Sequence, residues 1–201
     1  MKIKDMKQAV KIFLNEWYLG RRESGTEGDI CGWIYLFSIL EETEKIIVYK
    51  ENNKLIGLCG YTKYNSNKHK LRKKFYSFLK NRLMKSKKIK NKEGLKEYYD
   101  NYSYTPKQLD GYFDGEVSIL IVDENYRGKG IGKKLLLDIF ELAKLDNVKK
   151  LQILTDESCD YKFYESLGCQ KVFETDVNNY EYGKLGSSST EVGYVYEKIL
   201  L

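Results

Sequence analysis

The 201-residue chain reads as an α/β protein, on three observations. Apolar residues at helical spacing of about 3.6 give way repeatedly to short apolar runs of strand character, so helices and strands are interspersed rather than segregated. One segment, Glu116 to Leu137, passes from an apolar strand-like run through a glycine-rich basic turn into helical spacing. A second short helical signal follows a further strand and ends at Gly168, a helix-stop position for glycine. The length suits one domain with a substantial core.

Residues 5–19 form the first expected helix, because Val10, Phe13, Leu14 and Trp17 fall at i, i+3, i+4 and i+7. Residues 20–32 are polar and glycine-rich and read as a loop or a short helix edge. Residues 33–40 are apolar enough for a second helix and run into the acidic cluster Glu41, Glu42 and Glu44. Residues 46–50 and 55–62 read as strands of a hairpin turned at Glu51-Asn52-Asn53. Residues 65–110 carry helical signals at Leu71, Phe75, Phe78, Leu79 and Leu83, and again over 95–99. The strand over 115–123 leads into the glycine turn, and the helix over 130–145 places Ile131, Leu135, Ile139 and Leu142 on one face. A strand over 148–154, a short helix over 159–167, a strand over 169–174, a Gly/Ser stretch over 183–189 and a strand over 192–200 complete the reading.

The turn Arg127-Gly128-Lys129-Gly130-Ile131-Gly132 is suited to a pyrophosphate. Glycine lets backbone approach an anion without Cβ obstruction, and the unpaired N–H groups and positive dipole end of the next helix favour negative charge. Arg127, Lys129, Lys133 and Lys134 add positive charge. An ordinary βα turn is the alternative reading, but three glycines in five residues exceed what a change of direction requires. Two familiar phosphate loops do not fit. The Walker spacing fails by one residue and lacks Ser/Thr after Gly132-Lys133; the dinucleotide fingerprint ends on Lys133 or Leu135 instead of glycine.

The segment does resemble the acyl-CoA-binding motif R/Q-x-x-G-x-G/A of the GNAT N-acetyltransferases, satisfied by Arg127, Gly130 and Gly132 behind a strand ending Val122-Asp123. Tyr161-Lys162-Phe163-Tyr164-Glu165-Ser166-Leu167-Gly168 is similar to the F-Y-E-x-x-G helix of the same family. The element order is also that of GNAT proteins. The resemblance implies a GNAT fold over 1–201: a central twisted mixed β-sheet with helices on both faces, and a basic helical insertion, residues 65–110, between strands 3 and 4. It further implies acetyl-CoA as co-substrate, held by Leu120, Ile121 and Val122, by Arg127, Gly128, Lys129, Gly130, Ile131, Gly132 and Lys133, and lined by Tyr161. No metal is implied.

By the same resemblance the chain would be an N-acetyltransferase, moving an acetyl group to a primary amine of a small molecule, peptide or protein by direct attack in a ternary complex. Such transfer needs the amine deprotonated and the departing thiolate protonated. Tyr164 matches the family tyrosine beside the sulfur, and a phenol, ionising near pH ~10, is still protonated at neutral pH. A core aromatic is its alternative role. Glu116 stands where one branch of the family carries its general base; a solvent-facing strand end is the alternative, and Asp114, Asp156 and Glu157 are rival carboxylates. The run Asp156-Glu157-Ser158-Cys159-Asp160 departs from the small or Asn residue common ahead of this helix. Cys159, with no histidine near it in sequence, reads as structural.

Composition narrows the rest. A single histidine, His69, in a lysine-rich run argues against His triads and multi-histidine metal sites. The four cysteines lack metal or close-paired spacing, and neither a membrane span nor an N-terminal leader pattern is expected, so a cytoplasmic protein with no membrane partner is the reading. Residues 65–110 hold fourteen Lys/Arg against four Asp/Glu, while the whole chain is only +6. This basic segment is a solvated insertion, an aid to phosphate binding, or a nucleic-acid or anionic-lipid patch. The alternative function is therefore a non-catalytic acyl-CoA sensor or nucleic-acid-binding module, and a homodimer is possible by family habit.

Overall fold

The computed structural model describes residues 1–16, 26–93, 95–96, 109–157, 159–176 and 192–200. Two compact units result, Met1–Lys90 with Ser118–Ala143, and Asn91–Val117 with Lys144–Leu201. The strands form one six-stranded mixed sheet in the order β1-β2-β3-β4-β6-β5, and β3 contributes residues to both units.

In the first unit, α1 (Ile3–Glu16) buries Ala9, Val10, Ile12 and Phe13, and Phe13 meets Tyr35 edge-on at 5.2 Å. Its partner α2 (Thr26–Glu42) starts well before the expected Trp33. Gly28 and Gly32 suggest a loop locally, but Gly32 is where α1 comes close: a Cβ there would lie 2.9 Å from Val10 Cγ1. Packing thus overrides the weak helix propensity of glycine. Trp17 and the remainder of 17–25 lie outside the described residues.

Strands β1 (Lys45–Glu51) and β2 (Lys54–Lys63) pair antiparallel. Asn52 and Asn53 both have positive φ, 47° and 61°, the requirement of a two-residue type I′ hairpin. Helix α1 is tied to this hairpin by Asp5–Lys50 at 2.7 Å and by the Leu55 N–H donating to Gln8 Oε1 at 2.9 Å. Strand β2 is buried on both faces, as an inner strand should be.

Helix α3 (Lys70–Met84) follows, then β3 (Gly115–Val122), a 3-10 turn over Glu124–Tyr126, and α4 (Ile131–Leu145). Among the described residues, those of 65–110 follow the second strand and precede the third, where the expectation put them between the third and fourth. Residues 95–96 are helical as expected; 97–99 lie outside the described residues. Helix α4 buries Ile131, Leu135 and Ile139 as its spacing predicts, and also Leu136, Phe140 and Ala143, while Leu142 is half-buried.

Helices cover both faces of this unit. A Cβ at Gly57 would meet Leu135 of α4, whereas one at Gly60, on the opposite side of β2, would meet Thr43 after α2. These two glycines also fix a feature of β3. Gly57 adjoins Val122 and Gly60 adjoins Ser118, so three steps on β2 correspond to four on β3. That parity requires one extra residue on β3 between Ser118 and Val122, a β-bulge. A Cβ at Gly57 would stand 2.8 Å from the carbonyl oxygen of Ile121, a backbone atom that cannot turn aside. Gly57→Ala should therefore cost about 1–3 kcal/mol of stability; an unchanged urea midpoint would show the strands can part there without penalty.

In the second unit β3 and β4 (Lys150–Asp156) pair in parallel at Gly115–Leu151 and Glu116–Gln152. Strand β6 (Val192–Ile199) runs antiparallel between β4 and β5 (Gln170–Asp176). The helix expected over 159–167 is only one turn, α5 (Lys162–Glu165). It closes with the Gly168 N–H on the Glu165 carbonyl and the Cys169 N–H on the Tyr164 carbonyl, Gly168 having φ 70°. The Gly/Ser stretch 183–189 lies outside the described residues.

Candidate active site

The glycine turn lies in the first unit. Asp123 ends β3 and caps the 3-10 turn, its Oδ1 accepting from the Asn125 N–H at 3.1 Å and Asn125 Nδ2 at 3.0 Å. Lys54 Nζ reaches its Oδ2 at 3.3 Å. Burial pushes the Asp123 carboxyl up, but the Asn125 and Lys54 contacts outweigh it and hold the group below the usual aspartate value. Gly128 and Gly130 then adopt φ of 74° and 75°, and an added Cβ at either would meet nothing within 4 Å. Glycine stands at these two positions for backbone conformation, in front of open space.

Helix α4 begins at once, its first bond running from the Lys134 N–H to the Gly130 carbonyl at 3.0 Å. The N–H groups of Ile131, Gly132 and Lys133 thus belong to a first turn with no i−4 acceptor. Ile131 itself is buried and anchors the turn, while Lys129 and Lys133 are exposed. Lys129 lies over the Tyr126 ring at 4.8 Å and Lys134 pairs with Asp138 at 3.0 Å. Arg127 is not the mobile cation its exposure would suggest. Its Nε donates to the Val122 carbonyl at 3.3 Å and its guanidinium pairs with Glu16. It stitches the turn to the ends of β3 and α1. Leu120 and Val122 are half-buried and Ile121 is buried, in the bulged part of β3. Close by, a cleft of about 340 Å³ opens between α1, Lys54 and Asp123.

The candidate proton-transfer residues lie in the second unit. Glu116 is half-buried, and register aligns it with Gln152 and, across β4, with Glu197 on β6. These three share one face of the sheet. Gln152 and Glu197 are buried; Lys150, on the same face, stands 3.8 Å from Glu197 Oε2 and 3.7 Å from the Tyr112 ring centroid. None of these neighbours is singled out by the sequence, although a glutamine inside the apolar run Leu151–Thr155 is a usable signal.

Tyr164 serves the other face. Its ring lies 5.9 Å from that of Tyr196, which alternates with Glu197 on β6, and 5.4 Å from Phe163. Tyr196 donates to Glu165 Oε1 at 2.9 Å; burial, then that carboxylate, raises its phenol well above the ordinary tyrosine value. Tyr161 packs on Tyr194 at 4.7 Å, and burial likewise raises the Tyr194 phenol. The tyrosine cluster around Tyr164 is visible in sequence only as the alternation Tyr194-Val195-Tyr196. Among the rival carboxylates, Asp114 is committed to the backbone, its Oδ2 accepting from the N–H groups of Lys149 and Lys150 at 2.8 and 3.0 Å. Cys159 is exposed, and burial pushes the Cys169 thiol up to about 11. Among the described residues, no group of three or more His, Cys, Asp or Glu could hold a metal.

The mixed sheet, the left-handed glycine turn and the helix N-terminus behind it agree with the fold that the resemblance to GNAT proteins implies. Residues 97–170 match the family model described as "Acetyltransferase (GNAT) domain". A stretch of 60 residues is 37% identical to N-alpha-acetyltransferase RimI of Mycobacterium tuberculosis (strain ATCC 25618 / H37Rv), covering 30% of this chain and 37% of that protein. Another of 54 residues is 37% identical to glucosamine 6-phosphate N-acetyltransferase of Trypanosoma brucei brucei, covering 27% and 36%. The chain therefore spans little more than a third of the curated relatives it matches. The N-acetyltransferase from Staphylococcus aureus Mu50 has the same fold, with a TM-score of 0.58 at 17% identity over 100% of this chain and 96% of that one.

Proposed function

We propose that the protein is an acetyl-CoA-dependent N-acetyltransferase acting on a primary amine of a small molecule, peptide or protein. The observation that carries this reading is the turn at Gly128 and Gly130, left-handed, open in front, and backed by the first N–H groups of α4. A pyrophosphate fits it: backbone N–H groups of residues 128–133 would hold the oxygens, with Lys129 and Lys133 at the rim. Leu120, Ile121 and Val122 would offer backbone to the pantetheine arm at the bulge, and Tyr161 would line it. Residues 65–110 are then an insertion in one acetyltransferase domain spanning 1–201.

Acetyl-CoA supplies the acetyl group as an activated thioester. Glu116 would take the proton of the incoming ammonium, directly or through water, leaving a neutral amine to form the new C–N bond as the C–S bond breaks. Tyr164 would give its proton to the departing sulfur, and the second proton, shed by the nitrogen once the C–N bond has formed, would pass to solvent, from which Tyr164 is reprotonated; the net release is one proton per turnover. The two residues serve opposite faces of the sheet, which suits an acceptor arriving from one side and a thiol leaving on the other. The two curated relatives carry names with different acceptors, and the amine class is as far as this proposal goes.

Calorimetric titration of acetyl-CoA into the protein tests the reading, followed by thiol release with a panel of amines; absence of heat at any concentration would sink it. Glu116→Gln should remove the rising limb of rate with pH and lower kcat/KM by about 100-fold or more. An unaltered pH profile would take Glu116 out of the base role and leave Asp156 or Glu157 to be tried.

A further inference from the structure

The function above makes no use of α3, whose two faces differ sharply. One face is committed to α2: Tyr76 stacks on Phe37 at 5.9 Å, Lys80 pairs with Glu41 at 2.6 Å, and Arg72 donates to the carbonyls of Thr43 and Glu44. These contacts fix the rotation of the helix. The other face presents Leu71, Phe75 and Phe78, exposed by 85%, 56% and 61%. They stand at i, i+4 and i+7, a single apolar ridge. Lys74, Arg82 and Lys85 are exposed along the same side, and Lys68, Lys70, Lys87, Lys88, Lys90 and Lys92 are exposed at its ends. No acidic residue occurs anywhere from Asn52 to Lys92.

We propose that α3 is a docking surface for an anionic phospholipid bilayer. The helix lies on the membrane without crossing it; among the described residues no helix is long and apolar enough to span one. Leu71, Phe75 and Phe78 seat at the headgroup–acyl boundary, and Lys74, Arg82 and Lys85 reach the lipid phosphates beside them. An apolar ridge bordered by cations is what an interfacial helix needs, since long lysine stems keep their charge among headgroups while the ridge leaves water. The one-signed charge matches an anionic leaflet, each lysine or arginine near its surface adding to the attraction. A nucleic acid would use the cations alone and leave the ridge in water. A protein partner would have to bring an apolar groove with an acidic rim of matching shape, whereas a bilayer offers both chemistries on a fluid surface.

The experiment sediments the intact chain with vesicles of phosphatidylcholine alone and of phosphatidylcholine mixed equally with phosphatidylglycerol. The expected result is pelleting with the anionic vesicles only, weakened by high salt. Phe75→Ser with Phe78→Ser should lower the partition coefficient about tenfold or more, as should Lys74→Glu with Lys85→Glu. Circular dichroism of both variants checks that the chain is still folded, and the partition coefficients are compared for folded protein only. No pelleting with anionic vesicles overturns the proposal. So does equal pelleting of the Phe75→Ser, Phe78→Ser variant, or a self-association seen by light scattering that this variant abolishes. Binding of duplex RNA or DNA in place of vesicles, indifferent to the phenylalanines, would assign the face to nucleic acid instead.

Discussion

Gly130→Asp is expected to abolish acetyl-CoA binding, by about 100-fold or more in Kd, while leaving a folded protein. The position has room, since a Cβ there meets nothing within 4 Å, so bulk alone excludes little. What matters is charge. A carboxylate at the start of α4 would occupy the anion position of the helix N-terminus and repel a pyrophosphate. Unit charges ~4 Å apart interact by about 4 kcal/mol near a protein surface. The same carboxylate can satisfy the first N–H groups of the helix, which offsets part of the cost of φ 75° in a residue with a side chain. Gly130→Ala is the companion measurement. It bears the backbone strain, about 1–2 kcal/mol, without the charge, and should lose stability with a much smaller loss of affinity. If calorimetry gave the aspartate variant an unchanged Kd, the cofactor would not sit on this turn.

Legibility in the sequence followed the range of the interactions involved. The hairpin, β3, the glycine turn and α4 were readable because each is set by local rules: two asparagines for a type I′ turn, glycines for positive φ, a helical apolar stripe behind them. The start of α2 was not, because Gly28 and Gly32 signal a loop locally and only the approach of α1 explains Gly32 inside a helix. The bulge in β3 was equally hidden, since it exists only relative to Gly57 and Gly60 on β2. In the site, Arg127 was legible as a motif residue but not as an anchored one, because Glu16 lies 111 positions away. The neighbours of Glu116 depend on strand register, so Gln152, Glu197 and Lys150 emerge only when β3, β4 and β6 are aligned. The shortening of the helix before Gly168 has a local cause that the apolar spacing conceals. Asp156, Cys159 and Asp160 already place their carbonyls in turn bonds to Cys159, Tyr161 and Phe163, so the regular helix has only one turn left to form.

Tyr164→Phe should lower kcat by about 100-fold while changing acetyl-CoA affinity by less than about twofold. The substitution keeps the ring, and with it the contacts to Phe163 and Tyr196, so the packing of α5 on β6 is retained. Only the hydroxyl is lost, and the proposed reaction needs that group at one moment, when the sulfur departs with a pair of electrons. Without a donor the thiolate must leave charged or wait for water, which raises the barrier of the chemical step and not the energy of the bound state. Tyr196→Phe separates chemistry from packing. The Tyr196 hydroxyl is buried and bonded to Glu165, so its removal should lower stability by about 1 kcal/mol and leave kcat nearly intact. A Tyr164→Phe enzyme within about twofold of wild type would make Tyr164 a packing residue. A Tyr196→Phe enzyme that lost turnover to the same degree would move the proton donor to Tyr196, whose elevated phenol pKa would then hold the proton at every working pH.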